Sequence, residues 1–106
     1  MGFHPEAVPD RFSSAYLVST CARAITEVAH LRGAAEEAGK RLPTLTLDAD
    51  VRFASAADRA AFFEELATQL AKLVSRYHDE SAPQGRNFRL FVGAHPTPSA
   101  SKEEPR

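Results

Sequence analysis

The sequence predicts an α+β fold of order α-β-α-β: a long amino-terminal helix, then a βαβ unit whose two-stranded sheet is completed by dimerisation. Three patterns carry that expectation. Apolar residues recur at helical spacing across residues 10–38. Residues 44–53 alternate apolar and polar. A second helical stripe over residues 56–78 leads into another alternating run at 87–95. The predicted layout is a flexible arm at 1–8, one α+β domain at 9–96, and a disordered tail at 97–106. Within the domain, 9–39 is a linking and dimerisation helix and 43–96 is the βαβ unit.

The first helix opens after Val8-Pro9-Asp10, since proline suits a first turn and aspartate complements the amino-terminal dipole. Leu17, Cys21, Ala24, Val28, Leu31 and Ala35 follow at spacings of 4, 3, 4, 3 and 4, a narrow apolar seam that Ile25 and Phe12 widen. Gly33 weakens the helix by about 1 kcal/mol relative to alanine. Gly39, with Lys40, Arg41 and Pro43 behind it, is the stop. A helix over 10–38 spans roughly 43 Å, against a radius of gyration of about 13 Å for a domain of this size. The helix should therefore overshoot its own domain and offer its seam to a partner.

In the first strand, Leu45, Leu47, Ala49, Val51 and Phe53 share one face, opposite Thr44, Thr46, Asp48, Asp50 and Arg52. Ser55 is a suitable N-cap for the second helix, with Asp58 at the capping-box position. That helix carries Phe63, Leu66, Leu70, Leu73 and Tyr77 on its core stripe, with Ala67 and Val74 alongside and Phe62 at the edge. Pro83 and Gly85 mark a loop over 79–86. The second strand puts Phe88, Leu90, Val92 and Ala94 on one face and Arg89, Phe91, Gly93 and His95 on the other, and Pro96 ends it.

Composition excludes several function classes. The net charge is −1, and it is evenly mixed: residues 1–40 hold four Lys/Arg and five Asp/Glu, residues 41–86 six and seven. Displacing counterions from duplex DNA needs a dense cationic surface, which no segment supplies. One cysteine, Cys21, rules out an internal disulfide framework and a thiolate-cluster metal site. The amino terminus has no apolar run of signal-peptide type, and no stretch approaches the roughly 20 apolar residues that span a bilayer. A cytoplasmic protein without membrane contact is expected.

Few residues invite a chemical reading. Cys21 lies on the helix seam, where a free thiol packs as a small hydrophobe. Tyr77-His78-Asp79-Glu80 juxtaposes a phenol, a base and two acids, but Tyr77 continues the core stripe and His78 suits the end of a helix. Gln84-Gly85-Arg86 lacks the other glycines and the lysine of a phosphate loop and reads as a turn. The outer sheet face is the more promising ligand or partner surface: Asp48, Asp50, Arg52, Arg89, Phe91 and His95 would share it, an aromatic ring among charges. No catalytic residue, metal ligand or cofactor site is expected.

The segments VRFASAADRAAFFEEL (51–66), RYHDESAPQGRNFRL (76–90) and VGAHP (92–96) resemble the carboxy-terminal, non-DNA-binding region of actinobacterial helix-turn-helix regulators of the arsenical-repressor (ArsR-type) superfamily. In those proteins a winged helix comes first, followed by a linking helix and a domain of this kind. The first helix here would match the linking helix. Before Pro43 there is one long helix, with no recognition helix and no wing hairpin, so DNA reading does not carry over. The single cysteine and four scattered histidines do not match a metal-sensing site either.

The resemblance implies an accessory dimerisation and effector-sensing domain of such a regulator. Its partners would be a second copy of the chain and a small-molecule effector, and DNA would be reached only through the absent winged helix. The alternative is a small dimeric ligand-binding protein or enzyme, with His95, Asp50 and Arg89 around a pocket on the open sheet face.

Overall fold

The first helix begins at a hydroxyl cap rather than at the proline. In the computed structural model, which describes residues 10–98, α1 runs Ser14–Glu37 with Ser13 as N-cap. The Ser13 Oγ accepts from the Tyr16 amide at 3.1 Å. Asp10 is spent one turn earlier: its carboxylate accepts from the Phe12 amide at 2.9 Å and its carbonyl from the Ser13 amide at 3.0 Å. A residue that closes a turn on its own neighbours does not also head the helix. The helix is thus shorter than residues 10–38, about 36 Å for its 24 residues.

Its end lies at Gly39. The Gly39 amide donates to the Glu36 carbonyl at 3.1 Å and the Lys40 amide to the Ala35 carbonyl at 2.8 Å. That pair of reversed bonds closes the last turn, and it requires the positive φ of 68° that Gly39 adopts. The helix continues through Gly33.

The second helix, α2, runs Ala56–Tyr77. Ser55 caps it, its Oγ accepting from the Asp58 amide at 3.0 Å. Asp58 falls in the first turn and Arg76 in the last, each of the sign that the helix dipole favours. His78 leaves the helix with ψ 129°, its amide still donating to the Val74 carbonyl at 2.8 Å. Asp79 then organises the loop, accepting from the Ser81 amide at 3.1 Å and the Ser81 hydroxyl at 2.8 Å. A turn closes from the Gly85 amide to the Ala82 carbonyl at 3.1 Å, so Gln84-Gly85-Arg86 is turn backbone.

The expected α+β fold is not what forms. Among the described residues there are two helices and no strand, so the two-stranded sheet of residues 44–53 and 87–95 is absent and the class is all-α. Alternation records which side chains would share a face if a strand formed; it does not supply the neighbouring backbone that makes the ladder. Two lone strands are marginal in water. Here Pro43 precedes the first run, while Gly93 and Pro96 interrupt and end the second.

The chain divides into one unit of Met1–Leu45 with Phe91–Arg106 and another of Thr46–Leu90. Each alternating run is therefore split between the two. In the first unit the Gly93 backbone lies so close to Leu17 that a Cβ there would stand 2.6 Å from Leu17 Cδ1. In the second, Phe53 stacks on the start of α2. Among the described residues no side chain is buried; the best covered are half-buried. The expected arm at 1–8, and the expected tail from residue 99 on, lie outside the described residues.

Candidate functional site

Helix α1 carries an apolar face along its length. Leu17, Cys21, Ala24, Val28, Leu31 and Ala35 line one side of the helix because their spacing averages about 3.6 residues, one helical turn. Leu17, Ala24 and Ala35 are half-buried, while Cys21 is exposed, Val28 is 39% exposed and Leu31 41%. Val18 and Ile25 flank the seam and are more open still, at 68% and 70%. A face that holds two valines, two leucines and an isoleucine in that state is the sort of patch that marks an interface.

Two side chains tidy the rest of the helix. Ser19 donates to the Tyr16 carbonyl at 3.1 Å and Thr26 to the Ala22 carbonyl at 3.2 Å, so both hydroxyls are satisfied within α1.

The α2 stripe is covered at one end only. Phe53 sits 5.2 Å from the Phe62 ring and 6.1 Å from Phe63, the latter edge-on at 87°, and Phe62 lies 6.4 Å from Phe63. These are favourable offset and edge-to-face arrangements. Phe63, Leu66, Ala67 and Leu70 are half-buried, whereas Leu73, Val74 and Tyr77 further along are exposed. Periodicity alone does not single out this ring cluster. The signal that could have found it is the Phe62-Phe63 pair about two helical turns past the Ser55 cap, with Phe53 just upstream of that cap.

The six residues expected on an outer sheet face have no sheet to share. Asp48, Asp50, Arg52 and Arg89 belong to the Thr46–Leu90 unit, Phe91 and His95 to the other. His95 is exposed, and its Nδ1 is 2.7 Å from the Pro96 carbonyl, a contact with its own neighbour in sequence. The pocket of His95, Asp50 and Arg89, which the alternative enzyme reading needs, was to lie on that sheet and loses its geometry with it. Tyr77 and His78 point the same way: Arg76 stacks over the Tyr77 ring at 5.5 Å, and His78 Nε2 lies 3.9 Å from Glu80 Oε2 on an open surface, where an ion pair contributes little.

A shallow depression of about 170 Å³ is lined by Arg32, Ala35, Glu36, Lys40 and Leu42 at the end of α1. Pockets that enclose a drug-sized molecule start near 300 Å³, so this open depression is not such a site. Among the described residues, no three His, Cys, Asp or Glu side chains gather closely enough to hold a metal ion. No helix among them is long and apolar enough to cross a membrane. No protein-family model, no curated protein and no solved structure matches the chain.

Proposed function

We propose that the chain is an accessory dimerisation and effector-sensing domain of an ArsR-like helix-turn-helix regulator, acting without catalysis and meeting DNA only through a separate winged helix. One observation supports the dimerisation half most directly: a complete apolar seam on α1 with no described side chain buried. Ordering a residue costs about 1–2 kcal/mol, and half-covered stripes offset little of it. A second copy laid on the seam supplies the missing apolar cover. The resemblance of 51–66, 76–90 and 92–96 supplies the rest of the reading, because a linking helix is the element that pairs protomers in such an arrangement.

For the effector, the chain offers exposed polar and aromatic groups rather than a closed cleft. Asp48, Asp50, Arg52, Arg89, Phe91 and His95 are each exposed, but with no sheet to group them they are not assigned as an effector site.

The experiment is sedimentation of the chain and of Val28→Glu. The unsubstituted chain should sediment as a dimer. A carboxylate at the centre of the seam should weaken pairing by on the order of 3 kcal/mol, more than 100-fold, and leave a monomer at micromolar concentration. An unchanged dimer mass would remove α1 from the interface. A monomer before substitution would remove the reading itself.

A further inference from the structure

We infer that α1 receives α1 of a second copy antiparallel to it, centred near Thr26, so that each large seam residue meets a small one. The inference rests on the dimerisation reading above and specifies its geometry. Three observations converge on it.

The first is size. In heptad terms Cys21, Val28 and Ala35 occupy one core position of the seam, Leu17, Ala24 and Leu31 the other. An antiparallel pair centred on residue 26 sets residue i opposite residue 52 − i. Leu17 then faces Ala35, Cys21 faces Leu31, and Ala24 faces Val28, and the same three layers repeat beyond the centre. Every layer holds one larger and one smaller side chain, and the helix axes can stay evenly spaced. In the parallel alternative each residue faces itself: two leucine layers alternate with two alanine layers. The axes cannot follow both, so the alanine layers are left with voids, whose cost rises with their volume.

The second observation is charge along the helix axis. The first turn of α1 has no acidic residue and its last turn no basic one, while Glu36 and Glu37 sit at the carbonyl end, where their sign is unfavourable. Antiparallel pairing lays those carboxylates beside the positive amino-terminal end of the other copy and opposes the two dipoles. Parallel pairing would gather four carboxylates and two carbonyl ends at one place.

The third is Leu17. Gly93 of the same copy already approaches it within the distance a Cβ would need. The antiparallel layer brings only the methyl of Ala35 against Leu17, which leaves that backbone in place; a parallel layer would bring a second leucine. One feature favours parallel pairing: Glu27 and Arg32 stand at flanking positions five apart, where they would pair between parallel copies. An exposed rim pair contributes little, whereas packed layers run the length of the seam.

Cys21 reports the answer. In the antiparallel arrangement the two Cys21 residues are about 15 Å apart along the axis, ten residues at 1.5 Å each, too far for a disulfide. Leu31→Cys places a second thiol opposite Cys21 of the other copy. Diamide accepts two electrons and two protons from a thiol pair, which becomes a disulfide. Oxidised L31C should run as a covalent dimer on a non-reducing gel, the unsubstituted chain and L31C with Cys21→Ser as monomers. Circular dichroism confirms that the helices persist in each variant. Efficient cross-linking of the unsubstituted chain would overturn the proposal in favour of parallel pairing. Absence of cross-linking in L31C, with dimer mass still seen in sedimentation, would overturn it by placing the contact on another face. A monomeric mass in the unsubstituted chain would overturn it together with the dimerisation reading.

Discussion

The two helices are nearly equal in length, 24 residues for α1 and 22 for α2, yet they are finished differently. Helix α2 carries its own supports: a serine cap, an acid in the first turn, a base in the last, and three phenylalanine rings packed at its start. Helix α1 has the serine cap and a glycine-closed end, but no charge of the favourable sign at either terminus. Its apolar side is a complete seam, met at Leu17 by the Gly93 backbone. What α2 obtains from neighbours in sequence, α1 has to obtain from elsewhere. That contrast is why α1, and not the better-patterned second half of the chain, is the proposed interface.

The strongest way to break the contrast is Val28→Glu. It should cost the dimer more than 100-fold in affinity, on the order of 3 kcal/mol, while amide exchange in α2 stays unchanged. Next in size is Phe53→Ala. Removing one ring abolishes two aromatic contacts and uncovers the start of the α2 stripe. Because the rings are half-buried at best, the loss should be about 2 kcal/mol, below the range for a fully enclosed phenylalanine. Exchange protection across α2 should fall by that amount, and sedimentation should still give a dimer. If Phe53→Ala instead dissociated the dimer as fully as Val28→Glu, the ring cluster would belong to the interface and the division of labour between the helices would fail.

The helices were legible in the sequence because their signals are local. Ser55, Asp58, Gly39 and the two apolar stripes each act within a turn or two of where they stand, and the structure places the α2 cap and the α1 stop on those residues. The start of α1 moved because Asp10 and Ser13 compete for the same role, and a propensity reading cannot tell which side chain closes a turn and which caps the helix. The sheet was not legible for a different reason. Leu45 to Phe53 and Phe88 to Ala94 alternate well, but a strand is a property of a pair, and one-chain periodicity contains no information about whether a partner edge is present. The surface of Asp48, Asp50, Arg52, Arg89, Phe91 and His95 fell with it, since membership of one face was its only argument. Phe62 shows the converse: its position beside Phe63 was plain, but the contact with Phe53 depends on how the chain enters α2.

Smaller effects sharpen the same comparison. Ser55→Ala removes the bond from the Asp58 amide and leaves the first-turn donors of α2 to water, at a cost of about 1 kcal/mol. Hydrogen exchange should show that loss confined to the opening turn of α2, with dimer affinity unaffected. A loss spreading through α1 as well would mean that the two helices unfold as one cooperative element.

The smallest expected change is a gain. Gly33 lies on the side of α1 opposite the seam, and a Cβ there would meet nothing within 4 Å. Gly33→Ala should therefore stabilise the helix by up to about 1 kcal/mol, because alanine loses less backbone freedom on becoming helical. If α1 pairs through Cys21, Val28 and Leu31, the added methyl points away from the second copy, and affinity should rise slightly as the helix is better ordered before it docks. A fall in affinity would show that the side carrying Gly33 is the side in contact. That outcome would move the interface around α1 by half a turn even if Val28→Glu also weakened it, since a charge on the seam can lower affinity by unfolding the helix, whereas a methyl in open space can only stabilise it.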